Sequence, residues 1–479
     1  MGLSALLAGC QLINGDTVSE NAFQPSNNPV TVDTVNRNDR LAELARGQHP
    51  RILATYGGEY SDARLERMVA KVVGQLTAES DKPDQAYNIT ILNSPNVNAF
   101  ALPGGYLYVT RGLLALANDS AELGAVIAHE MAHVTANHGL ARQQKEAEEG
   151  LATRVVSDVL GDSANTRAAL IRGKLRLAQF SRNQELEADA IGIKHSARAG
   201  FDAFAASRFL RSMASYSDFR AISGAADASL DFLASHPNAP QRIELAQRLA
   251  RLYGAPGSGN RDRDSFLAGV DGLVFGDTPE EGYVRGNTFL HPRLGVTFTV
   301  PAGFVIDNAA AAVTASGPGD FAIRFDGVAL KESVSLTDYL RSGWVSGLDE
   351  SSVRAETING NPAAIARARA DGWQFDVAVI RAGGQVFRLL SAAPSSAGGL
   401  DAVAREVSAS FRVLSAAEKA SLKPLRIRVV TVRAGDTVGS LAASMTGIER
   451  KLDLFRLINA LGPGATVSAG DKVKIISDR

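Results

Sequence analysis

The chain has 479 residues, of which 45% are hydrophobic, and its 50 Lys and Arg residues balance 51 Asp and Glu residues to a formal net charge of −1. This length suggests about three domains. The balanced charge, without a long run of one sign, excludes a basic field that would hold nucleic acid, so we predict no nucleic-acid partner.

The N-terminal 40 residues contain the single cysteine, Cys10, which has no partner for an internal disulfide. Leu7-Ala8-Gly9-Cys10 looks like a bacterial lipobox, which predicts cleavage before Cys10, lipidation of its sulfur and a membrane anchor. The apolar stretch before Cys10 is short and lacks a positively charged start. Either the true start lies upstream, which we favour, or the match is accidental. Residues 19–40 are predicted as a flexible tether, and Gln11 favours the outer membrane by analogy with lipoprotein sorting.

A short strand is predicted before the turn Pro103-Gly104-Gly105. An exposed strand edge can hold an extended peptide through backbone hydrogen bonds. The alternative is an edge strand without a ligand. The candidate substrate-binding residues are Asn98, Ala99, Phe100 and Ala101.

A helix with a metal-binding motif is predicted next. Asp119 and Glu122 resemble a capping box, which starts a helix before the stretch 123–134. The motif His129-Glu130-Met131-Ala132-His133 lies inside this stretch, and its histidines share one helix face and can bind one Zn²⁺. Glu130 is the candidate general base for peptide hydrolysis. The other residues of the stretch are apolar, which is typical of a buried active-site helix.

A third metal ligand is expected on a second helix, because a catalytic zinc usually takes three protein ligands. In the segment 181–189, Glu185 and Asp189 are four residues apart and share a helix face. We assign Glu185 to the metal. Asp189 is expected to hold a ligand histidine in the right tautomer. The alternative is an ordinary solvated acidic face.

His236 and Arg242 are candidate site residues because of a family resemblance. A His-Pro pair before a helix is by itself often a cap or turn. The stretch from about residue 49 to residue 242 resembles the gluzincin peptidases that include the heat-shock protease HtpX, the CAAX prenyl proteases and the periplasmic protease BepA. The resemblance is carried by Asn98–Gly105, the HExxH helix with the trailing His138, Glu185–Asp189, and Ser235-His236-Pro237 with Arg242.

The resemblance implies a zinc peptidase with an extended substrate on the strand at Asn98. It also implies that His236 lies over the metal and either stabilises the oxyanion or occupies the open zinc position at rest, with Arg242 in support. His138 is interpreted as structural. Unlike HtpX and the prenyl proteases, the chain has no later stretch approaching the ~20 apolar residues of a membrane span. It also lacks the repeats of about 34 residues found in BepA.

A second domain is predicted after the Gly/Pro/Ser-rich break at residues 254–260. It resembles PsbP-like domains only vaguely, and no group of residues in it indicates chemistry. Alternation of apolar residues indicates strands, and longer periodic stretches indicate helices, which together predict an α+β sandwich. The predicted strands are 295–301, 373–380 and 386–391, and the predicted helices are 336–343 and 400–411.

The tail beyond the linker at residues 416–424 predicts the order strand, helix, helix, strand. The first strand is predicted at Gly435–Val438, the second helix at Leu454–Leu461 and the last strand at Gly470–Ile475. This order resembles a LysM module, which implies peptidoglycan as a partner. A small packing domain without a ligand is the alternative.

The predicted fold class is α+β, with a mainly helical zincin peptidase core and a small edge-strand sheet, an α+β sandwich domain and a LysM-like βααβ domain. The predicted ranges are 1–40 for the lipoprotein signal and tether, 41–254 for the metallopeptidase, 261–413 for the accessory domain and 425–479 for the LysM-like domain.

The predicted function is a zinc-dependent endopeptidase of the bacterial cell envelope. We expect it to be periplasmic, held by lipid at the outer membrane, and to cleave extended or misfolded envelope proteins. The rival is a catalytically latent envelope lipoprotein that acts as a peptidoglycan-binding scaffold or holdase. The complete set His129, Glu130, His133 and Glu185 favours the enzyme, because a decayed core is expected to lose one of its members.

Overall fold

A computed structural model describes residues 40–142, 144–148, 164–222, 232, 236, 240–309, 312–448 and 450–478. The predicted signal and tether, apart from its last residue, lies outside the described residues, and so do Cys10, Ser235 and Pro237. Within the described ranges, no helix combines the length and apolarity needed to span a membrane. The described residues form both helices and mostly antiparallel sheets, consistent with the predicted α+β class.

The N-terminal region is mainly helical and carries one small sheet. Its sheet has the order β1-β3-β2, with β1 parallel and β2 antiparallel to β3, so in the described part of the chain β2 is an edge strand. The elements are α1 (Arg40–Thr55), α2 (Ala63–Ala78), β1 (Asn88–Leu92), β2 (Ala99–Leu102), β3 (Tyr106–Thr110), α3 (Arg111–Leu116), α4 (Ser120–Thr135), α5 (Ala164–Arg198), α6 (Ala205–Ile222) and α7 (Pro240–Ala250).

Helix α4 runs through the centre of this region. Asp119 is its N-cap, and the Asp119 side chain accepts a hydrogen bond from the Glu122 amide. Every residue from Ser120 to Ala132 is buried, which the mostly apolar sequence explains, because a helix with apolar residues on all sides has no face for water. The helix contacts α2, α5, α6 and β2. The predicted helix is therefore confirmed, and its environment is the protein core.

The middle region contains two antiparallel sheets and two helices. Consecutive residues of its strands enter opposite cores: Ala378 and Ile380 pack under the smaller sheet, whereas Val377 and Val379 pack under α9. The smaller sheet has the order β15-β7-β6-β5 and the larger one β11-β12-β13-β14-β10-β9-β8. The elements are β5 (Tyr283–Arg285), β6 (Thr288–His291), β7 (Val296–Thr299), β8 (Val305–Ala309), β9 (Ala312–Gly317), β10 (Phe321–Val328), α9 (Leu336–Leu340), β11 (Leu348–Ile358), β12 (Asn361–Ala370), β13 (Trp373–Ala382), β14 (Gln385–Pro394), α10 (Leu400–Ser410) and β15 (Arg412–Val413).

The C-terminal module consists of residues 425–477, after the short helix α11 (Ala416–Ser421). Its elements are β16 (Leu425–Thr431), α12 (Val438–Ala443), α13 (Lys451–Ile458) and β17 (Lys472–Ser477), in the predicted order strand, helix, helix, strand. The first strand was predicted at Gly435–Val438, and that position is wrong. Thr437 and Ser440 form a capping box instead, which turns the chain into α12.

The C-terminal module shares one hydrophobic core with the N-terminal region. Helix α8 (Arg263–Val270) contacts α2, α4 and β16, and β16 pairs with both β17 and β4 (Val274–Phe275). The side chains of Phe266, Phe455 and Ile476 belong to the same core as those of α4. Hydrophobic packing therefore crosses the predicted domain limits at residues 254 and 425.

Candidate active site

Helix α4 places the two motif histidines on one face, with their rings turned to the same point. His129 Nε2 lies 3.0 Å from His133 Nε2. The spacing of four residues, slightly more than one helical turn, produces this arrangement. His129 and Glu130 are buried, and His133 is partly exposed. The edge of the site nearest His133 is thus the one nearest to water.

Helix α5 brings Glu185 and Asp189 to this face of α4. Glu185 Oε2 lies 3.4 Å from His129 Nε2, Glu185 Oε1 lies 3.5 Å from His133 Nε2, and Asp189 Oδ1 lies 3.0 Å from His129 Nδ1. The helices can approach closely because α5 carries Gly192 at their contact. A Cβ atom at Gly192 would lie only 3.0 Å from the His129 backbone nitrogen, so the absence of a side chain there sets the reach of the carboxylates.

The spacing of these atoms fits a tetrahedral metal ion. Zinc bonds of about 2.0–2.1 Å place neighbouring ligand atoms about 3.3 Å apart. His129 Nε2 and His133 Nε2 are 3.0 Å apart, and they lie 3.4 Å from Glu185 Oε2 and 3.5 Å from Glu185 Oε1, respectively. Together with a nitrogen of His236, the ligand atoms all lie within 4.8 Å of one another. Two imidazoles and a carboxylate are donors suited to such an ion.

His236 lies at the remaining corner of this group. Its Nδ1 is 3.4 Å from His129 Nε2 and 3.1 Å from both oxygens of Glu185, and its Nε2 is 3.5 Å from Glu130 Oε1. The Phe232 ring stacks on the His236 ring, with 4.3 Å between the centroids. The sequence does not indicate Phe232, which lies outside the motif Ser235-His236-Pro237; its position four residues before His236 is the signal available.

Arg242 lies behind the carboxylates. Its Nε and one terminal nitrogen donate to the two oxygens of Asp189 at 2.7 Å each, and its other terminal nitrogen lies 3.0 Å from Glu185 Oε2. All three guanidinium nitrogens therefore face carboxylates. This placement favours a role in holding Glu185 and Asp189 over contact with a substrate.

The electrostatics of the site favour a positive charge between the histidines and Glu185. Burial raises the pKa of Glu185, but hydrogen bonds from His129 and His236 outweigh it and lower that pKa. Burial lowers the pKa of His129, but the carboxylates of Asp189 and Glu185 raise it to about 9. Burial, followed by the neighbouring His129, lowers the pKa of His133. A metal cation placed there would supply the charge that these carboxylates attract.

Glu130 differs from the other carboxylates of the site. Its Oε1 is buried and has no hydrogen-bond partner among the described residues. Burial raises the pKa of Glu130, and the nearby charges of His236 and His129 oppose that rise. An incompletely paired carboxylate of raised pKa, next to a metal position, is what a general base requires.

His138 contacts the site from behind His133. Its Nδ1 lies 2.9 Å from His133 Nδ1, and its Nε2 lies 3.4 Å from Glu187 Oε2. The sequence predicts a structural His138 and does not indicate its contact with His133. The available signal was its position five residues after the second motif histidine and just beyond the end of α4.

The edge strand β2 lies beside α4. The Thr110 amide donates to the Asn98 carbonyl oxygen at 3.0 Å, so in an antiparallel pair the backbone groups of Ala99 and Ala101 face away from β3. The Phe232 amide donates to the Val97 carbonyl oxygen at 2.8 Å, on this outward side. Asn98 itself is buried, and its side-chain amide donates to the Tyr56 hydroxyl.

Residues 59–250 match the model of Peptidase family M48. The chain is 31% identical to the mitochondrial metalloendopeptidase OMA1 of Schizosaccharomyces pombe over 42% of this chain and 58% of the relative. It is 35% identical to OMA1 of Arabidopsis thaliana over 33% of this chain and 31% of the relative. It is 30% identical to the beta-barrel assembly-enhancing protease of Yersinia pestis over 40% of each chain.

The chain thus spans between 31% and 58% of the length of these relatives. A solved structure from Bacteroides thetaiotaomicron covers 40% of this chain and 87% of its own, with 11% identity and a TM-score of 0.24, too low to inform the fold.

Proposed function

We infer that this chain, whose residues 59–250 form a peptidase region of family M48, is a zinc-dependent endopeptidase. The observation that carries the proposal is the buried group of His129, His133 and Glu185, whose ligand atoms lie at tetrahedral separations beside the incompletely paired Glu130. The resemblance to gluzincin peptidases drawn from the motifs is confirmed by the family match. Metalloprotease chemistry is the reaction class to which both point.

Each residue of the site would have a separate role in hydrolysis. His129, His133 and Glu185 would hold the zinc ion, which supplies Lewis acidity toward the scissile carbonyl. Glu130 takes the proton of the attacking water and passes it to the leaving amine. His236, whose Nε2 faces Glu130, is placed to donate a hydrogen bond to the developing oxyanion.

An extended polypeptide is the proposed substrate. The outward backbone groups of Ala99 and Ala101 can pair with a peptide strand, as in other strand-addition complexes. Most backbone groups of a folded protein are already paired in its own secondary structure, so we propose extended or misfolded proteins as substrates. The lipobox-like sequence Leu7-Ala8-Gly9-Cys10 supports a lipid-anchored envelope location, and Gln11 supports the outer membrane as its site.

Metal analysis combined with a cleavage assay tests the proposal. The purified wild-type chain should contain about one zinc per molecule and release peptides from unfolded casein, whereas Glu185→Ala should lose both zinc and cleavage. Glu244→Ala is the matched control, because Glu244 is an exposed acid on α7. Full zinc in Glu185→Ala would move the third ligand elsewhere, and a zinc-loaded wild type without cleavage would contradict the enzyme.

A latent form is the second candidate function. It is favoured by one observation: His236 and Phe232 are buried against the ligand group. In that case the chain would suppress aggregation of unfolded casein without cutting it, and it would act as a scaffold through the C-terminal module. Peptidoglycan binding by this module is part of the same proposal, and a pull-down with insoluble peptidoglycan tests it.

A further inference from the structure

A second histidine, His138, contacts the proposed metal ligand His133. The His133 and His138 rings lie with 4.9 Å between centroids at an interplanar angle of 75°, and the two Nδ1 atoms are 2.9 Å apart. Helix α4 ends at Thr135, and Asn137 adopts a φ of 55°, a left-handed conformation that asparagine tolerates. The chain therefore reverses at Asn137, and this reversal brings the buried His138 against the last turn of α4.

We propose that His138 is a positioning residue for His133, accepting a hydrogen bond from His133 Nδ1–H and thereby directing His133 Nε2 to the metal. This inference rests on the proposed function, because it assumes that His133 is a metal ligand. An imidazole that binds a metal through Nε2 must carry its proton on Nδ1, and that proton needs an acceptor when it is buried. His138 Nδ1 is the acceptor within hydrogen-bond distance.

Two side chains of helix α5 hold His138 in the tautomer whose Nδ1 can accept a hydrogen bond. The Gln184 side-chain amide donates to the His138 carbonyl oxygen at 2.9 Å, which anchors its backbone. Glu187 Oε2 lies 3.4 Å from His138 Nε2 and is placed to accept that N–H, which leaves His138 Nδ1 unprotonated. One turn of α5 thus supplies the ligand Glu185 and, through Gln184 and Glu187, the orientation of the ligand His133.

The two motif histidines are supported unequally. His129 Nδ1 faces the buried carboxylate of Asp189, which is itself paired with Arg242. His133 Nδ1 faces a neutral ring, and the acid behind that ring is 61% exposed. The carboxylate pair is the stronger support. His133 is therefore the ligand whose supporting acceptor is the weaker of the two.

Zinc affinity, measured by chelator competition, tests this role. The measurements are made in the Glu130→Gln background so that cleavage cannot interfere. His138→Phe keeps a ring but removes the acceptor, and it should weaken zinc binding by about 10- to 100-fold. His138→Asn places an oxygen near the former Nδ1 and should restore the affinity to within about threefold of the parent. His195→Phe is the matched control and should leave affinity unchanged, because His195 is also buried beside an exposed acid, Asp81, but lies away from the metal site.

Two outcomes would overturn the role of His138: an unchanged zinc affinity in His138→Phe, or equal weakening in His138→Phe and His138→Asn. Nitrogen NMR of the zinc-loaded Glu130→Gln protein provides a test that does not need the His138→Phe variant to fold. The proton should be on Nδ1 of His133 and on Nε2 of His138, and the opposite assignment contradicts the proposal. If the Glu130→Gln protein binds no zinc, the proposed function itself fails, which is a different result.

Discussion

Helix α4 carries buried charges at both ends, and the two groups differ in how completely they are paired. The charged side chains at the N-terminal end are those of Asp119, Glu122 and Arg208. Asp119 accepts from the Glu122 amide at 2.8 Å and from Arg261 at 2.7 Å, and Arg208 donates to Asp119 at 3.1 Å and to Glu122 at 3.3 Å. The Asn118 amide donates to the other oxygen of Glu122 at 2.9 Å. All four carboxylate oxygens therefore have a donor.

At the active-site end, Glu130 keeps a buried oxygen without a hydrogen-bond partner among the described residues. Burial raises the pKa of Glu122 and of Glu130 alike, so the direction of the pKa shift does not separate the two ends. Pairing does. A buried carboxylate with all its hydrogen bonds made contributes to the fold, whereas one left partly unpaired is available for chemistry.

Among variants that keep zinc, replacing Glu130 should produce the largest loss of turnover. We expect Glu130→Gln to lower the turnover of unfolded casein by about 10²- to 10⁴-fold, the range for removing a general base. Zinc content should be unchanged, and the free energy of unfolding should not fall, because the lost charge had no complete set of partners. A marked loss of stability would show that Glu130 belongs with the structural carboxylates.

Replacing Arg208 should have the converse effect. Arg208→Met leaves the carboxylates of Asp119 and Glu122 buried without their guanidinium, and Arg208 also contacts Asp202. We expect the free energy of unfolding, measured in urea, to fall by about 3–5 kcal/mol. Arg211→Met, one turn along α6, is the control and should change it by less than about 0.5 kcal/mol. The folded fraction of Arg208→Met should retain zinc. A loss of zinc from this fraction would show that the N-terminal charges of α4 affect the active-site end.

Replacing His236 tests the second unusual group at the active-site end. If His236 stabilises the oxyanion, His236→Ala should lower kcat by about 10²- to 10³-fold at saturating zinc. If it occupies the open metal position, its removal should raise basal cleavage. We expect a net loss, because His236 Nε2 lies 3.5 Å from Oε1 of the general base Glu130, where an N–H can reach the developing oxyanion. Unchanged turnover would remove His236 from the mechanism.

Lys474 extends the comparison to a buried amino group that contacts no carboxylate among the described residues. Its Nζ donates to the carbonyl oxygens of Ala115 and Ala117 at 2.7 Å each. Burial, followed by the charge of Arg263, lowers the Lys474 pKa from 10.5 to about 7. Between these values the unfolded chain holds a proton that the folded protein has released, so stability should rise with pH.

The wild type should therefore show an added slope of up to about 1.4 kcal/mol per pH unit between pH 7 and 10.5. Lys474→Met should lack this slope in urea unfolding measured across the same range. Parallel pH profiles for the two proteins would mean that Lys474 stays charged, held by the carbonyl oxygens at the end of α3.

The sequence by itself determined the features that depend on local spacing. The separation of four residues between His129 and His133, and between Glu185 and Asp189, placed each pair on one helix face, and Asp119 marked where α4 begins. Alternating apolar residues likewise indicated β13 and β14. These predictions succeeded because a helix turn or a strand pleat is set by neighbours in the chain. The strand predicted at Gly435–Val438 failed because the capping box at Thr437 was not recognised.

Only the tertiary structure decided which of these faces meet. The contact of His138 with His133 depends on a chain reversal at Asn137 and on two side chains of α5. The reach of Glu185 depends on the close approach that Gly192 permits. The C-terminal module joins the peptidase core through Lys474, which lies 359 residues from its carbonyl partner Ala115. Such distances along the chain leave no periodic pattern in the sequence, because the contacts are set by packing between whole elements.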